Sequence, residues 1–185
     1  MRTSLVAGIA VACICAVHLS AAQDKGKTAA AELNSESKAS LQQLYASVPL
    51  AKTLGPKAVA IMVFPEVKKA GLGIGGQYGE GTLLQKGAAV AYYKTTGASF
   101  GLQAGGQKYG YAMFFMNAKA LDEFQKATGF EVGVGPSVVL VDEGMAKSTT
   151  TTTLKDDIYA FIFGQKGLMA GLGVQGNKIT KITPK

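Results

Sequence analysis

Glycine alternates with apolar residues in four separate stretches of this chain, and this alternation restricts the fold more than any other feature. The stretches lie at residues 71–76, 101–106, 132–135 and 171–174. Alternation with a period of two is typical of β-strands, and here it gives each strand one apolar face and one nearly bare face. Because glycine weakens a strand interior, its repeated use indicates close approach of another backbone, a tight barrel bend, or a ligand.

Ordinary strand patterns lie between the glycine stretches. They are short runs rich in β-branched and aromatic residues, which favour strands. Pro65 is expected to end the first of them. The connections are too short for crossover helices, so the sequence predicts eight to ten strands that are mostly antiparallel. The runs are 58–64, 82–93, 109–116, 137–141 and 158–163.

A helix is predicted over residues 31–48. Its apolar residues recur at the i, i+3, i+4 and i+7 spacing of a single helix face. Pro49 is expected to interrupt it, with Ser47 capping a second short helix that ends at Gly55. The apolar stripe consists of Leu41, Leu44, Tyr45 and Val48.

A further helix is expected after Asn117, a residue type that caps helix N-termini. Leu121 and Phe124 would face the core, and Gly129 would end the helix. The predicted fold class is therefore α+β. A glycine-rich antiparallel sheet, open or closed into part of a barrel, would carry amino-terminal helices and one internal helix.

Residues 1–22 have the composition of an export signal. Arg2 precedes an uncharged apolar run, and small residues stand before an expected cleavage site at Gln23. The apolar run is shorter than the roughly 20 residues that a membrane-spanning helix needs. The protein is therefore expected to be exported, either periplasmic or secreted. In the alternative, it is a lipoprotein anchored through Cys13.

The rest of the chain is expected to form one domain. Residues 23–30 are polar, charged and rich in alanine, which favours a flexible leader. Residues 31–185 are long enough to bury a core of their own, and they are assigned to a single domain.

Several reactive residue types occur only in the predicted signal. His18, Arg2 and both cysteines, Cys13 and Cys15, lie there. The processed chain would then lack the usual catalytic bases, thiols and transition-metal ligands. The sequence predicts a protein that is not an enzyme, with no catalytic residue, no metal and no cofactor.

Three patterns resemble functional motifs but lack the context that those motifs need. Residues 71–76 match the glycine spacing of a dinucleotide-binding loop, yet no helix is predicted after them. Ser99 lies in a nucleophile-elbow pattern that has no histidine partner. The acidic pairs 142–143 and 156–157 lack the spacing of a calcium loop, and turns explain them better.

The processed chain would carry eighteen lysines against twelve acidic residues, a net charge of +6. An excess carried by lysine alone suits an anionic surface. It does not suit sequence-specific recognition of nucleic acid, which relies on arginine, so no nucleic-acid partner is predicted. Lys68 and Lys69 form a basic pair before the first glycine stretch, and Lys38 adds to it from the first helix. On charge alone, these lysines also fit an ordinary solvated surface.

Ordered residue matches along most of the chain, about 38–182, resemble the SYLF-domain family of lipid-binding and yeast actin-regulating proteins. The matches begin in the first helices and continue through the glycine stretches to the carboxyl end. They include Leu44-Tyr45, Val63-Phe64-Pro65, Lys69-Ala70-Gly71, Gly75-Gly76-x-Tyr78-Gly79-Glu80-Gly81, Tyr92-Tyr93, Ala98–Gly105, Phe114-Phe115-Met116, Ala120-Leu121-x-x-Phe124, Glu131–Val134, Tyr159-Ala160-Phe161, Gln165–Gly171 and Lys178-Ile179.

This resemblance implies a module that binds lipid. Relatives in eukaryotes bind phosphoinositides and in some cases actin, but actin is not an expected partner of an exported bacterial protein. The first hypothesis is a cell-envelope module that binds anionic phospholipids at the membrane surface. Its predicted contact residues are Lys38, Lys68, Lys69, Leu41, Leu44 and Tyr45. The alternative is a structural or protein-interaction module that uses the glycine-rich sheet as a docking face.

Overall fold

A computed structural model describes the backbone of residues 7–131, 138–141 and 156–184. Side chains are described from residue 26 onward, apart from 99–103 and 168–176 within the strands. The glycine stretch at 132–135, the acidic pair 142–143 and the first residue of the strand predicted at 137–141 lie outside these residues.

One sheet of five strands dominates the described part of the chain, which confirms the α+β class. The strand order is β1-β2-β5-β3, and these neighbours are antiparallel. The short strand β4 runs parallel to β5. The strands are β1 (Ala60–Gln85), β2 (Ala88–Phe115), β3 (Phe130–Glu131), β4 (Val138–Val141) and β5 (Ile158–Ile182).

In the part of the chain that the structure describes, the strand count is lower than the sequence predicts, because three of the glycine stretches are the middles of long strands. They lie side by side, with Gly71 opposite Gly105 and Gly101 opposite Gly173. We call this region the corner, formed by residues 71–76 of β1, 101–106 of β2 and 171–174 of β5. These three stretches were expected to be strands of their own, and for them that expectation was wrong.

The long strands turn back on themselves at the corner. A Cβ atom on Gly71 would lie less than 3.0 Å from the Cα of Gly75, and Gly73 has φ +72°. Further along β1, a Cβ on Gly81 would also lie less than 3.0 Å from the carbonyl oxygen of Val63. The two halves of β1 therefore lie against each other, and glycine is required where they meet. The sheet is curled into part of a barrel.

The core lies inside this curl. Each long strand contributes buried residues from before and after the corner to one cluster. A second cluster lies on the other side of the sheet, under the amino-terminal helices. The first includes Phe64 and Leu83 of β1, Ala91 and Met113 of β2, and Ala160 and Ile179 of β5.

Pro65 lies within β1 and does not end it. The pairing of β1 with β2 shifts register between Phe64 and Val67, so the proline falls in a β-bulge. Because β1 is an edge strand of the sheet, a residue without a backbone N–H is tolerated there. The strand therefore continues to Gln85, where Lys86 and Gly87, both with positive φ, form a tight turn into β2.

The amino-terminal helix is longer than the sequence predicts. Helix α1 spans Ala7–Ser47 and includes residues 23–30, which were expected to be a flexible leader. Alanine at 29–31 has high helix propensity, which explains how the helix continues through a polar segment. Within the described residues, no helix combines the length and the apolar character needed to cross a membrane.

The break at Pro49 is confirmed. Helix α2 spans Pro49–Leu54 with the proline in its first turn, and Gly55 follows as its C-cap. A single 3₁₀ turn, Gly55–Lys57, leads to β1. The N-cap of α2 is Val48 and not Ser47, because the Ser47 hydroxyl donates back to the Gln43 carbonyl at 3.0 Å.

Helix α1 packs on the outer face of the sheet. Leu41 and Leu44 are buried there, with 8% and 0% of their surface exposed. Buried Ser37 reinforces the contact, because its hydroxyl donates to the Thr82 hydroxyl of β1 at 3.0 Å. The apolar stripe on α1 is therefore part of the core.

Helix α3 spans Ala118–Lys126 and carries the expected N-cap. The Asn117 side-chain oxygen accepts a hydrogen bond from the Ala120 N–H at 2.8 Å. Its amide nitrogen donates to Asp157 at 2.7 Å and so ties the helix start to β5. Leu121 and Phe124 are buried as expected. The helix ends at Lys126, with Ala127 as its C-cap in place of Gly129.

Replacement of Asn117 by alanine removes both of these hydrogen bonds. We expect a loss of about 1 to 2 kcal/mol in the free energy of unfolding, the usual cost of deleting such a cap. In thermal unfolding this corresponds to a decrease in Tm of roughly 2 to 8 °C. Gln125→Ala on the exposed side of α3 is the control and should leave Tm nearly unchanged. Equal Tm values for the two variants would contradict the role of the cap.

Candidate functional site

Three lysines lie next to each other across the three long strands. The register places Lys68 of β1 opposite Lys108 of β2, and Lys108 opposite Lys166 of β5. Neighbouring strands are about 4.8 Å apart, so the three residues cover roughly 10 Å in one line. All three are exposed. We call this feature the lysine row.

Glu66 partly neutralises the lysine row. One of its carboxylate oxygens lies 3.2 Å from the Lys68 ammonium, and the other lies 3.2 Å from that of Lys108. Slight desolvation raises the pKa of Glu66, but hydrogen bonds and charge from Lys108 and Lys68 outweigh it and hold the pKa below its ordinary value. Glu66 is therefore ionised near neutral pH, and the row with Glu66 carries a net charge of about +2.

The positive charge is concentrated toward β5. A groove of about 300 Å³ beside Lys68 is lined by four glutamates. A smaller pocket of about 130 Å³ lies at the other end, where Ser40 and Gln43 of α1 face Lys108 and Lys166. Lys166 makes no ion pair with any side chain that the structure describes. The glutamates of the larger groove are Glu32, Glu36, Glu66 and Glu80.

The corner exposes large apolar side chains next to the lysine row. Leu72 is 83% exposed and Ile74 is 68% exposed. Strand alternation places Leu72 on the same face as Lys68, with exposed Ala70 between them. The site therefore combines a cationic line with an uncharged, apolar tip.

Polar side chains hold the inner side of the corner together. The Tyr109 hydroxyl donates to Gln77 at 2.9 Å, and the Gln77 amide donates to Asn177 at 2.8 Å. These residues belong to β2, β1 and β5, so the network joins all three long strands just inside the corner.

The structure brings together only part of the predicted contact set. Lys68 belongs to the lysine row, whereas Lys69 alternates to the other face of β1 and is half-buried. Lys38 is exposed on α1. It is two residues from both Glu36 and Ser40, which line the two cavities, so it lies about 200° around the helix axis from each of them.

The apolar members of the predicted set have a different position from the expected one. Leu41 and Leu44 lie in the core under α1, and Tyr45 is half-buried against Phe114. Burial raises the pKa of the Tyr45 hydroxyl. In this conformation Leu41 and Leu44 offer almost no surface to a membrane, because the sheet already covers them.

Sequence reasoning missed Lys108 and Lys166. They are 40 and 98 residues from Lys68 along the chain, and only the strand register brings them together. A signal was nevertheless present in the sequence. Each long strand contains a segment without charged residues, and a lysine stands at one or both ends of each segment. The segments are 70–79, 95–107 and 167–177.

The motif-like patterns at residues 71–76 and at Ser99 lack the surroundings that the corresponding functional motifs need. Residues 71–76 lie inside β1 with no helix after them, so no helix N-terminus is available to a phosphate. Ser99 lies within β2, paired with Gly75 and Gln175, and not on a strand-to-helix turn. In the described part of the chain, no group of three His, Cys, Asp or Glu residues could hold a metal ion.

Residues 96–183 match the family model described as Ysc84, Las17-binding protein actin regulator. This is the SYLF-domain family. The match to residues 96–183 is consistent with the SYLF resemblance of the chain. The match covers most of β2, helix α3 and all of β5, so Lys108 and Lys166 lie within the SYLF match and Lys68 lies before it. SYLF domains are binding domains associated with lipid and with actin regulation. No curated protein matches this chain.

Proposed function

We propose that this SYLF domain binds anionic phospholipids at the surface of a membrane in the cell envelope and catalyses no reaction. The observation that carries the proposal is the lysine row. Three cationic side chains in register on a rigid sheet present their charge on one face, where a layer of phosphate headgroups can meet all of them. The family, which is associated with lipid binding, supports the same conclusion.

The expected attraction to an anionic membrane is modest. Each lysine near an anionic bilayer contributes about 1 kcal/mol, so a net charge of +2 contributes about 2 kcal/mol. Lysine also binds phosphate as a point charge, without the paired geometry of arginine. The proposal is therefore an attraction to anionic surfaces in general, with no selection of one headgroup.

The contact surface differs from the one that the sequence predicts. Lys68 stays in it, Lys108 and Lys166 join it, and the buried residues Leu41 and Leu44 leave it. We assign the function to an exported protein, periplasmic or secreted, as the amino-terminal sequence predicts. Actin and Las17, which the family description names, are therefore not among the proposed partners.

The alternative of a glycine-rich docking face receives less support. At Gly79 and Gly81 an added Cβ would lie less than 3.0 Å from a backbone carbonyl oxygen of the same strand. These glycines therefore serve the internal packing of the sheet. Among the described glycines, open space is found at Gly73 of the corner and at Gly87 of the turn, and Gly76 and Gly106 have only a distant neighbour.

Co-sedimentation with vesicles tests the proposal. The full chain should bind phosphatidylglycerol vesicles more tightly than phosphatidylcholine vesicles, and the difference should shrink as salt shortens the Debye length. Loss of two charges in Lys108→Gln/Lys166→Gln should weaken binding to phosphatidylglycerol roughly 30-fold. Glu66→Gln should strengthen it roughly fivefold, because the carboxylate no longer neutralises the row.

The control variants remove charges of the same sign at positions outside the lysine row. Lys119→Gln/Lys126→Gln on α3 removes two exposed lysines, and Glu123→Gln removes an exposed glutamate that pairs with Lys119. Neither should alter binding by more than about twofold. The proposal is wrong if vesicle charge makes no difference, or if the α3 variants lose as much affinity as the variants of the row.

A further inference from the structure

We infer that the corner itself enters the membrane, with Leu72 and Ile74 inserted at the boundary between headgroups and acyl chains and the lysine row held at the level of the phosphates. This inference rests on the proposed function and adds a second, apolar contact to it.

Three uncharged segments coincide at the corner. Residues 70–79, 95–107 and 167–177 lie in different strands, and the register superimposes them at the corner. The same strands have other uncharged segments, 60–65, 109–115 and 158–165, but those consist mainly of buried core residues, whereas Leu72 and Ile74 at the corner are exposed. An uncharged tip is costly in water when it exposes leucine and isoleucine, and it is favourable in a membrane interface.

The distance between the apolar tip and the lysine row suits shallow insertion. Lys68 and Leu72 are four residues apart on one strand face, which is about 13 Å. A lysine side chain can extend along an apolar surface and keep its ammonium group in the polar layer. Interfacial segments bury their apolar side by about 5 to 10 Å. Leu72 can therefore reach the acyl boundary while Lys68 and Lys108 remain among the phosphates.

The backbone of the corner limits the depth. β1 is an edge strand, and its pairing register with β2 shifts between Leu72 and Ile74. Gly73 therefore lies opposite no residue of β2. Backbone groups without a partner cannot enter the hydrocarbon core at acceptable cost. The corner is therefore suited to shallow insertion and not to crossing the bilayer.

The composition of the chain provides a direct test. The protein contains no tryptophan, so Leu72→Trp introduces a single fluorophore at the tip. With phosphatidylglycerol vesicles, we expect its emission to shift to the blue and to be quenched by lipids brominated on the acyl chain. Val90→Trp is the matched control, at an exposed site near the opposite end of the hairpin. Its emission should change little.

A second variant tests the energetic contribution without changing charge. Leu72→Ser/Ile74→Ser should bind phosphatidylglycerol vesicles roughly tenfold more weakly, while the salt dependence stays that of the unmodified chain. Both side chains are exposed, so circular dichroism and Tm should be unaffected.

The outcomes separate this inference from the proposed function. If the Leu72→Trp variant sediments with the vesicles but its fluorescence is neither shifted nor quenched, insertion is wrong and surface binding stands. If the protein does not sediment with anionic vesicles, the proposed function is wrong and the inference falls with it. A blue shift of the Leu72→Trp variant that depends on protein concentration without vesicles would assign the tip to a second copy of the chain and overturn the inference.

Discussion

Replacement of Gly81 by alanine is expected to destabilise the protein by about 3 kcal/mol or more. The added Cβ would lie less than 3.0 Å from the Val63 carbonyl oxygen, and this backbone atom cannot move aside without breaking the contact between the two halves of β1. Overpacking of a filled core typically costs about 1 to 3 kcal/mol, and a clash with backbone lies at the upper end. A domain of this kind is stable by about 5 to 15 kcal/mol, so the loss is a large fraction.

Urea unfolding measures this effect, and Gly76→Ala is its matched control. Gly76 lies in the same strand, but an added Cβ there would meet its nearest neighbour, the Gly97 carbonyl oxygen, at 3.9 Å. Alanine has less conformational freedom than glycine in the unfolded chain, so Gly76→Ala should change stability by less than about 1 kcal/mol, in the stabilising direction. Similar midpoints for the two variants would show that the halves of β1 do not meet as described.

Phe124→Ala is expected to cost about 3 to 5 kcal/mol, the usual range for removing a buried phenylalanine. The ring is 1% exposed and lies within about 5 Å of three other aromatic rings, those of Tyr93, Phe115 and Phe130. These rings belong to both halves of β2 and to β3, so one side chain of α3 joins parts of the sheet on both sides of the corner.

The effect is measured by thermal or urea unfolding, and a conservative variant serves as the reference. Phe124→Leu keeps most of the buried volume and should lose less than half as much stability as Phe124→Ala. If both variants unfold at the same point as the unmodified chain, α3 does not anchor the curled sheet, and the described core is wrong at that position.

Local signals in the sequence predicted the elements that depend on a few neighbouring residues. The stripe Leu41–Tyr45, the break at Pro49 and the cap at Asn117 each follow from spacing or side-chain chemistry within one or two turns. The same reasoning failed for the strand count. Glycine-rich segments resemble interruptions, and only the neighbouring strands show that Gly71, Gly101 and Gly171 lie inside continuous strands.

The candidate site was predictable only in part, because strand alternation and strand register decide which lysines share a face. Lys68 and Lys69 are adjacent in sequence, and a basic pair was predicted there, but strand alternation places their side chains on opposite faces of β1. Lys68 and Lys166 are far apart in sequence and share one face. The apolar stripe on α1 fits either a membrane contact or a core contact, because both give the same spacing of apolar residues along a helix. Burial of Leu44 in the structure distinguishes them for this conformation.

The order of the strands along the chain has a consequence for how the protein folds. The turn at Lys86-Gly87 lets β1 and β2 pair as soon as both are synthesised, since a hairpin forms within microseconds. The other edge of β2 pairs with β5, which begins only at Ile158, far along the chain from β2. Until β5 is present, a long edge of β2 is open to any other extended chain, and this makes truncation before β5 an aggregation hazard. Because the pairing of β2 with β5 joins residues far apart in the chain, we expect the sheet to be completed late and slowly.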